Sequence, residues 1–171
     1  MAKRLSVGDS APDFALPSQT GDVVNLRERI GKKEIVLYFY PKDNTPGCTT
    51  EARAFRDSYE VFKELGAEVM GVSSDTVESH RGFASKCGLP FILLSDSGGK
   101  VRELYSVPST FGLLPGRVTY IIDRRGVVRH VFSSQMNPGK HVDEAVSVLR
   151  SIREQEEKEK RDEPDATSSG A

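Results

Sequence analysis

Glu34-Ile35-Val36-Leu37-Tyr38-Phe39-Tyr40-Pro41-Lys42-Asp43-Asn44-Thr45-Pro46-Gly47-Cys48-Thr49-Thr50-Glu51 is the stretch that decides the fold. Its first seven residues form a continuous apolar run, rich in β-branched and aromatic side chains, and read as a strand buried on both faces. Pro41 ends that strand. A helix is expected from about Pro46 to Leu65, because Phe55, Tyr59, Phe62 and Leu65 recur at helical spacing and Gly66 is a natural stop. Thr45 is placed to be its N-cap and Pro46 its first residue, where proline is favoured. Cys48 then falls in the first turn.

Working outward, Asp13–Pro17 and Gly21–Leu26 read as an N-terminal hairpin around a Ser-Gln-Thr-Gly turn. Glu68–Ser73 is the next strand. Asp75 and Glu78 form a candidate capping box for a helix that runs to Cys87 and ends at Gly88 and Pro90. Phe91–Ser95 is a third buried strand, and Lys100–Tyr105 a short helix. Arg117–Asp123 and Val127–Phe132 flank Arg124-Arg125-Gly126 as a second hairpin. Val142, Ala145, Val146, Leu149 and Ile152 share one face of a closing helix that begins at His141. This order predicts an α/β fold, a mixed sheet with helices on both faces and its chemistry at the carboxyl ends of the central strands. One domain is expected over residues 1–153. Residues 154–171 are charged, then Pro-, Ser- and Gly-bearing, and read as a frayed helix end and a disordered tail.

With 171 residues the chain can bury a core without disulfide staples. A formal net charge of −1 gives no basic excess to recruit nucleic acid, and no apolar run approaches a membrane span. The start lacks the apolar stretch of a secretory signal, so the cytoplasm is the expected compartment, with a cleaved organellar form such as a plastid one as the alternative. The two cysteines, Cys48 and Cys87, do not make a secreted disulfide framework. No metal is expected: there is no Cys-x-x-Cys, and His80, His130 and His141 are scattered along the chain. His141 is expected to cap or pack.

The unpaired N–H groups and the dipole at a helix start stabilise an anion, and can lower a thiol there to roughly 3.5–7.5 from about 8.5. The plainer reading of Cys48 is a small buried hydrophobe. Its Pro, Gly and Thr neighbours at a strand–helix junction favour the reactive one. Gly47 leaves room for a substrate to approach the backbone. Thr45 offers a hydroxyl to the sulfur or to a substrate oxygen. Position 51 is Glu, so dithiol exchange within a Cys-x-x-Cys motif is ruled out, and no histidine carries a protease-like motif.

These residues carry a resemblance. Tyr38-Phe-Tyr-Pro-Lys-Asp-Asn-Thr-Pro-Gly-Cys-Thr-Thr-Glu51 resembles the active-site signature of peroxiredoxins, in particular the PrxQ or bacterioferritin-comigratory-protein subfamily, with Pro41, Thr45 and Cys48 at the motif's fixed positions. The likeness extends through Phe55-Arg56-Asp57, Gly88-Leu89-Pro90-Phe91, Leu94-Ser95-Asp96 and Pro115-Gly116-Arg117-x-Thr119-Tyr120, and covers about residues 5–150. It implies a thioredoxin-like fold and a thiol peroxidase acting on hydrogen peroxide and small organic hydroperoxides, with thioredoxin or a similar dithiol protein as reductant. By the same resemblance Cys48 attacks the peroxide. Arg117 holds the thiolate, Thr45 and the N–H groups of Gly47 and Cys48 hold the substrate, and Pro41 shields the sulfenic acid. Glu51 matches a residue near the site. No metal, haem or flavin is implied, and a monomer is expected.

The resolving cysteine often found five residues after the peroxidatic one is Arg53 here. Some relatives carry it on the next helix, near the position of Ala84. Cys87 lies three residues on, on a similar face. Two readings stay open. Cys87 resolves Cys48 as an intramolecular disulfide, or it packs and the protein is a one-cysteine peroxidase reduced by an external thiol. A third, of another class, is a redox-dependent holdase or interaction module.

Overall fold

The computed structural model describes residues 4–110 and 114–162. In chain order the elements are β1 (Ala15–Pro17), β2 (Val23–Asn25), α1 (Leu26–Arg29), β3 (Glu34–Phe39), α2 (Pro46–Asp57), α3 (Tyr59–Glu64), β4 (Ala67–Ser73), α4 (Val77–Cys87), β5 (Ile92–Ser95), α5 (Lys100–Leu104), β6 (Ser109–Thr110), β7 (Leu114–Pro115), β8 (Val118–Ile122), β9 (Val128–Ser133) and α6 (Pro138–Asp162). The central sheet has the order β5-β4-β3-β8-β9. Strands β3, β4 and β5 run parallel, while β8 is antiparallel to both β3 and β9. The parallel pairs require crossovers, which α2–α3 and α4 supply. The expected N-terminal hairpin is present, with Leu16 opposite Val24.

β3 is buried along its whole length, as its unbroken apolar run predicts. Its alternate residues serve two cores. Val36, Tyr38 and Tyr40 face α2, α3, α4 and α6 together with Val69, Leu93 and Ile121. Ile35, Leu37 and Phe39 face the opposite layer, with Leu26, Val101 and Tyr105. Glu34 opens the strand nearly buried, with Arg124 Nε donating to it at 3.2 Å.

Three local expectations are corrected, and one element is unanticipated. The helix expected from residue 46 to 65 breaks at Ser58, which closes α2 and opens α3 (φ −99°, ψ 7°). Asp57-Ser58 compete for the backbone in a way that disfavours a helix interior, yet Phe55 and Phe62 still reach one core. α4 is capped by Thr76, whose hydroxyl accepts from Ser79 N at 3.1 Å, and not by Asp75. The β6–β7 ribbon is unanticipated, because two-residue strands leave no readable alternation. The closing helix begins at Pro138, before the expected His141, and continues to Asp162 through the segment read as a frayed helix end. Its buried face, Val142, Ala145, Leu149 and Ile152, is the one expected. The rest of the expected tail, residues 163–171, lies outside the described residues.

No helix of the described residues is long and apolar enough to cross a membrane.

Candidate active site around Cys48

β3 delivers the chain to the carboxyl edge of the sheet, where Tyr40 N still donates to Val72 O at 3.1 Å. Pro41 follows, half-buried, and the loop turns through Asn44 in the left-handed region (φ 64°), which asparagine tolerates better than most residues. The loop is held by Asp43. Its carboxylate accepts from Tyr40 OH (2.6 Å) and Ser79 Oγ (2.9 Å) and meets His80 Nδ1 at 2.7 Å, while its N–H donates to Asp75 Oδ2 at 2.9 Å. His80 Nε2 is 2.9 Å from Leu94 O, a pure acceptor. Asp43, Asp75 and His80 are close enough together to suggest a cation site. Their oxygens and nitrogens are already engaged by protein partners, so the cluster reads as a clamp between the loop and the start of α4.

Thr45 is the N-cap residue of α2 by its backbone (φ −85°, ψ 153°), but its side chain does not cap. The hydroxyl donates to Lys42 O at 2.8 Å, which corrects the expectation of a proton offered to the sulfur; its lone pairs remain as acceptors. Pro46 leads the helix, and the first-turn N–H groups of Gly47 and Cys48 have no intrahelical acceptor. Cys48 is 1% exposed and is a free thiol. Its sulfur accepts from Arg117 Nη2 at 3.5 Å.

Arg117, 5% exposed, sits one residue before β8. Gly116 puts it there. Gly116 N donates to Pro108 O at 2.7 Å, and a Cβ at this position would stand 2.4 Å from that same oxygen, so only glycine allows the approach. From this anchor the guanidinium forks, Nη2 to Cys48 and Nη1 to Glu51 Oε1 at 2.7 Å. Glu51 lies three residues after Cys48, on the same face of α2. Gly47 completes the fit, since a Cβ there would be 2.9 Å from Arg117 Nη2.

Behind this fork lies a second layer. Glu51 Oε2 is buried with no hydrogen-bond partner and stands 3.7 Å from His141 Nδ1. His141 Nε2 is 2.8 Å from Ser134 O, and Nδ1 is 2.8 Å from Thr119 Oγ1. A carbonyl only accepts, so Nε2 carries the proton and Nδ1 takes the hydroxyl hydrogen of Thr119. Burial lowers His141 from 6.5 to about 4, and the nearby Arg117 adds to the effect against the raising pull of Ser134 and Glu144. Burial also lowers Arg117, but Glu51 and Cys48 outweigh it and the net shift is upward, so the guanidinium stays charged.

The depressed His141 has a stability consequence. The unfolded chain binds a proton at this ring below 6.5 that the folded chain refuses until about 4, so stability is present above 6.5 and is lost as pH falls through that window. Urea melts at pH 7 and pH 4.5 are expected to show a His141-dependent loss on the order of 2 kcal/mol, absent from His141→Gln.

Cys87 is the last residue of α4, 2% exposed, with Gly88 as its left-handed C-cap. Arg56 Nη1 donates to the Cys87 carbonyl at 2.7 Å. Cys87 and Ala84 both face the core that also holds Cys48, as their helical spacing implies. Among the described residues the hydrogen bonds join Cys48, Glu51 and Arg117 into one set, and Cys87 is not in it.

A family model described as the AhpC/TSA family matches residues 7–131. Chloroplastic peroxiredoxin Q of Sedum lineare is 52% identical over 151 residues, which cover 88% of this chain and 81% of that protein. The chloroplastic peroxiredoxin Q of Arabidopsis thaliana is 52% identical over 148 residues, 86% of this chain and 68% of that protein. Among solved structures, peroxidoxin BcpB from Mycobacterium tuberculosis superposes with a TM-score of 0.82 at 38% identity, covering 88% of this chain and 99% of that one. Bacterioferritin comigratory protein of Xanthomonas campestris, solved in complexes bearing on its alkyl peroxide reduction activity, gives 0.77 at 31% identity, with 86% and 97% covered.

Proposed function

Because the chain belongs to the AhpC/TSA family of peroxiredoxins, which are thiol peroxidases, we propose that Cys48 is its peroxide-attacking sulfur and Arg117 the cation that serves it. The single observation that carries this reading is the fork of Arg117, one nitrogen on Cys48 Sγ and the other on Glu51. In the reaction, Cys48–S⁻ attacks the terminal oxygen of HO–OR. The S–O bond forms, the O–O bond breaks, and RO⁻ departs and takes a proton from water. Negative charge moves from sulfur to oxygen, so fixed donors aimed at both atoms stabilise the transition state. Arg117 and the free N–H groups of Gly47 and Cys48 are such donors. Thr45, with its hydroxyl hydrogen given to Lys42 O, is set to accept the peroxide's own proton. Pro41 covers the sulfenic acid that results.

Gly47 supplies a check. A methyl group there meets Arg117 Nη2, the atom on the sulfur, while Glu51 holds the other nitrogen. Gly47→Ala is expected to slow the stopped-flow peroxide reaction by roughly 10–100-fold with little change in urea midpoint, since small misplacements of a catalytic group carry costs of that size.

For the second half-reaction we favour attack of the Cys87 thiol on Cys48–SOH, which releases water and leaves a disulfide. A dithiol protein then reduces it. The chloroplastic names of the plant relatives make plastid thioredoxins the first donors to try. Local unwinding at the two helix ends would bring the buried sulfurs together, and Gly88, the left-handed cap beside Cys87, is the residue that tolerates such a change most readily. The burial of Cys87 and the hold of Arg56 on its carbonyl favour the one-cysteine reading instead. Mass spectrometry after one equivalent of peroxide decides between them. Loss of two hydrogens with a Cys48–Cys87 cross-linked peptide is the expected result. Stable sulfenic acid on Cys48 beside a free Cys87 thiol overturns the disulfide route and leaves the peroxidase assignment standing.

A further inference from the structure

The pocket around Arg117 holds two acids and one cation. Cys48 and Glu51 are 1% and 0% exposed, and both hydrogen-bond to the same guanidinium. Among the described residues, the other groups that face Glu51 bring no second positive charge. On α6, His141 donates its one N–H to Ser134 O and is neutral. On β3, Tyr38 carries a buried phenol raised well above 10, chiefly by burial and then by Glu51 and Cys48. Two anions beside one guanidinium would leave a net negative charge in a buried site, an arrangement that proteins avoid by taking up a proton. One of the two acids therefore keeps its proton.

The hydrogen bonds say which. The Cys48 sulfur, as an anion, has Arg117 Nη2 and the helix-start N–H groups around it. Glu51 as a carboxylate has a donor only at Oε1; Oε2 is buried and unpartnered, which is costly for an ionised oxygen. Protonated, Oε2 is a neutral hydroxyl oxygen, far less costly to bury unpaired than an ionised one; it faces His141 Nδ1 at 3.7 Å, whose lone pair already holds the Thr119 hydroxyl hydrogen.

We propose that Glu51 is the proton partner of Cys48: the buried pair shares one proton, which rests on Glu51 Oε2, facing His141, while Cys48 is a thiolate, and which Glu51 releases when the sulfur loses its charge. This rests on the reading of Cys48 as the reactive thiolate. Burial pushes Glu51 up to about 8 against the lowering pull of Arg117, which fits a carboxyl that holds its proton at neutral pH. Glu51 is thus a positioning residue with a second duty. It orients Arg117 and, by giving up its negative charge, leaves the cation to the sulfur. When Cys48–S⁻ becomes neutral Cys48–SOH, Glu51–COOH becomes Glu51–COO⁻ and one proton leaves for solvent. Arg117 then balances the carboxylate, so the pocket's charge is the same before and after oxidation.

The test counts protons. In a Cys87→Ser background, Cys48 is alkylated with iodoacetamide, a neutral reagent, in weak buffer at pH 7 with a pH indicator, and alkylation is quantified by mass spectrometry. About one proton per modified Cys48 is expected with Glu51 in place and about none with Glu51→Gln, whose amide has no proton to give. Release of one proton by both proteins would show that Cys48 carries its own proton and would overturn the proposal; release of none by the Glu51 protein would also overturn it. If Glu51→Gln does not fold, infrared difference spectra between the reduced and alkylated Glu51 protein serve instead. Loss of a protonated-carboxyl band and gain of a carboxylate band on alkylation are expected, and an unchanged carboxyl region overturns the proposal. A Cys48 that alkylates no faster than a free thiol, with no change in either readout, points to failure of the thiolate reading itself.

Discussion

Replacing Cys48 with serine is expected to lower thiol-dependent peroxide consumption by at least about 10³-fold, to the rate of the reductant alone, because a serine hydroxyl is neither ionised nor soft enough to attack a peroxide oxygen. The substitution is close to isosteric at a site only 1% exposed, and the new hydroxyl can still accept from Arg117 Nη2. The fold should therefore survive, and the loss should appear in turnover without a fall in the urea midpoint. Consumption assays run beside urea melts measure both. Unchanged turnover in Cys48→Ser would sink the assignment of this sulfur.

Arg117→Met is expected to lower the second-order rate with hydrogen peroxide by about 10²–10³-fold, the usual cost of removing one preorganised donor from a developing anion. Unlike the serine variant it should also destabilise, by roughly 2–4 kcal/mol, because Glu51 loses its charge-assisted partner in a buried site. Arg117→Lys separates charge from shape. Lysine returns a positive charge but not the planar fork that reaches Glu51 Oε1 and Cys48 Sγ together. It is expected to recover part of the stability and little of the rate. Stopped-flow traces at several peroxide concentrations, with urea melts, give the two numbers. Full recovery by lysine would mean that only the charge matters and that the fork is incidental.

The sequence exposed the site unevenly, for physical reasons. Residues 34–51 were legible because their information is local: an apolar run whose two faces fill two cores, a proline stop, a proline at the first helical position and a cysteine in the first turn. Glu51 was visible only through the resemblance; its offset of three from Cys48 on α2 is what places it at the same guanidinium. Arg117 was reachable only through its motif, because nothing local says that β8 lies beside β3 and brings residue 117 to residue 48. The Pro115-Gly116 step before it has a cause that the structure supplies, the close approach to Pro108 O.

Other parts were not legible. The clamp of Asp43 on His80 joins residues 37 apart in sequence, and no spacing rule pairs them. His141 was read as a capping or packing residue. It is buried in the core, and it faces Glu51 only because α6 packs over α2 and β8. The hydroxyl of Thr45 went to Lys42 O because the loop folds back within hydrogen-bond reach, a matter of loop geometry that propensity does not encode.

The central claim is that peroxide oxidises the sulfur of Cys48 first. The most direct measurement is to mix the Cys87→Ser protein with one equivalent of hydrogen peroxide in the presence of dimedone, which traps sulfenic acids, and to map the adduct by peptide mass spectrometry. The account predicts a dimedone adduct on the peptide that carries Cys48, formed as fast as the peroxide disappears. Peroxide consumed at an undiminished rate with Cys48 still a free thiol would contradict it.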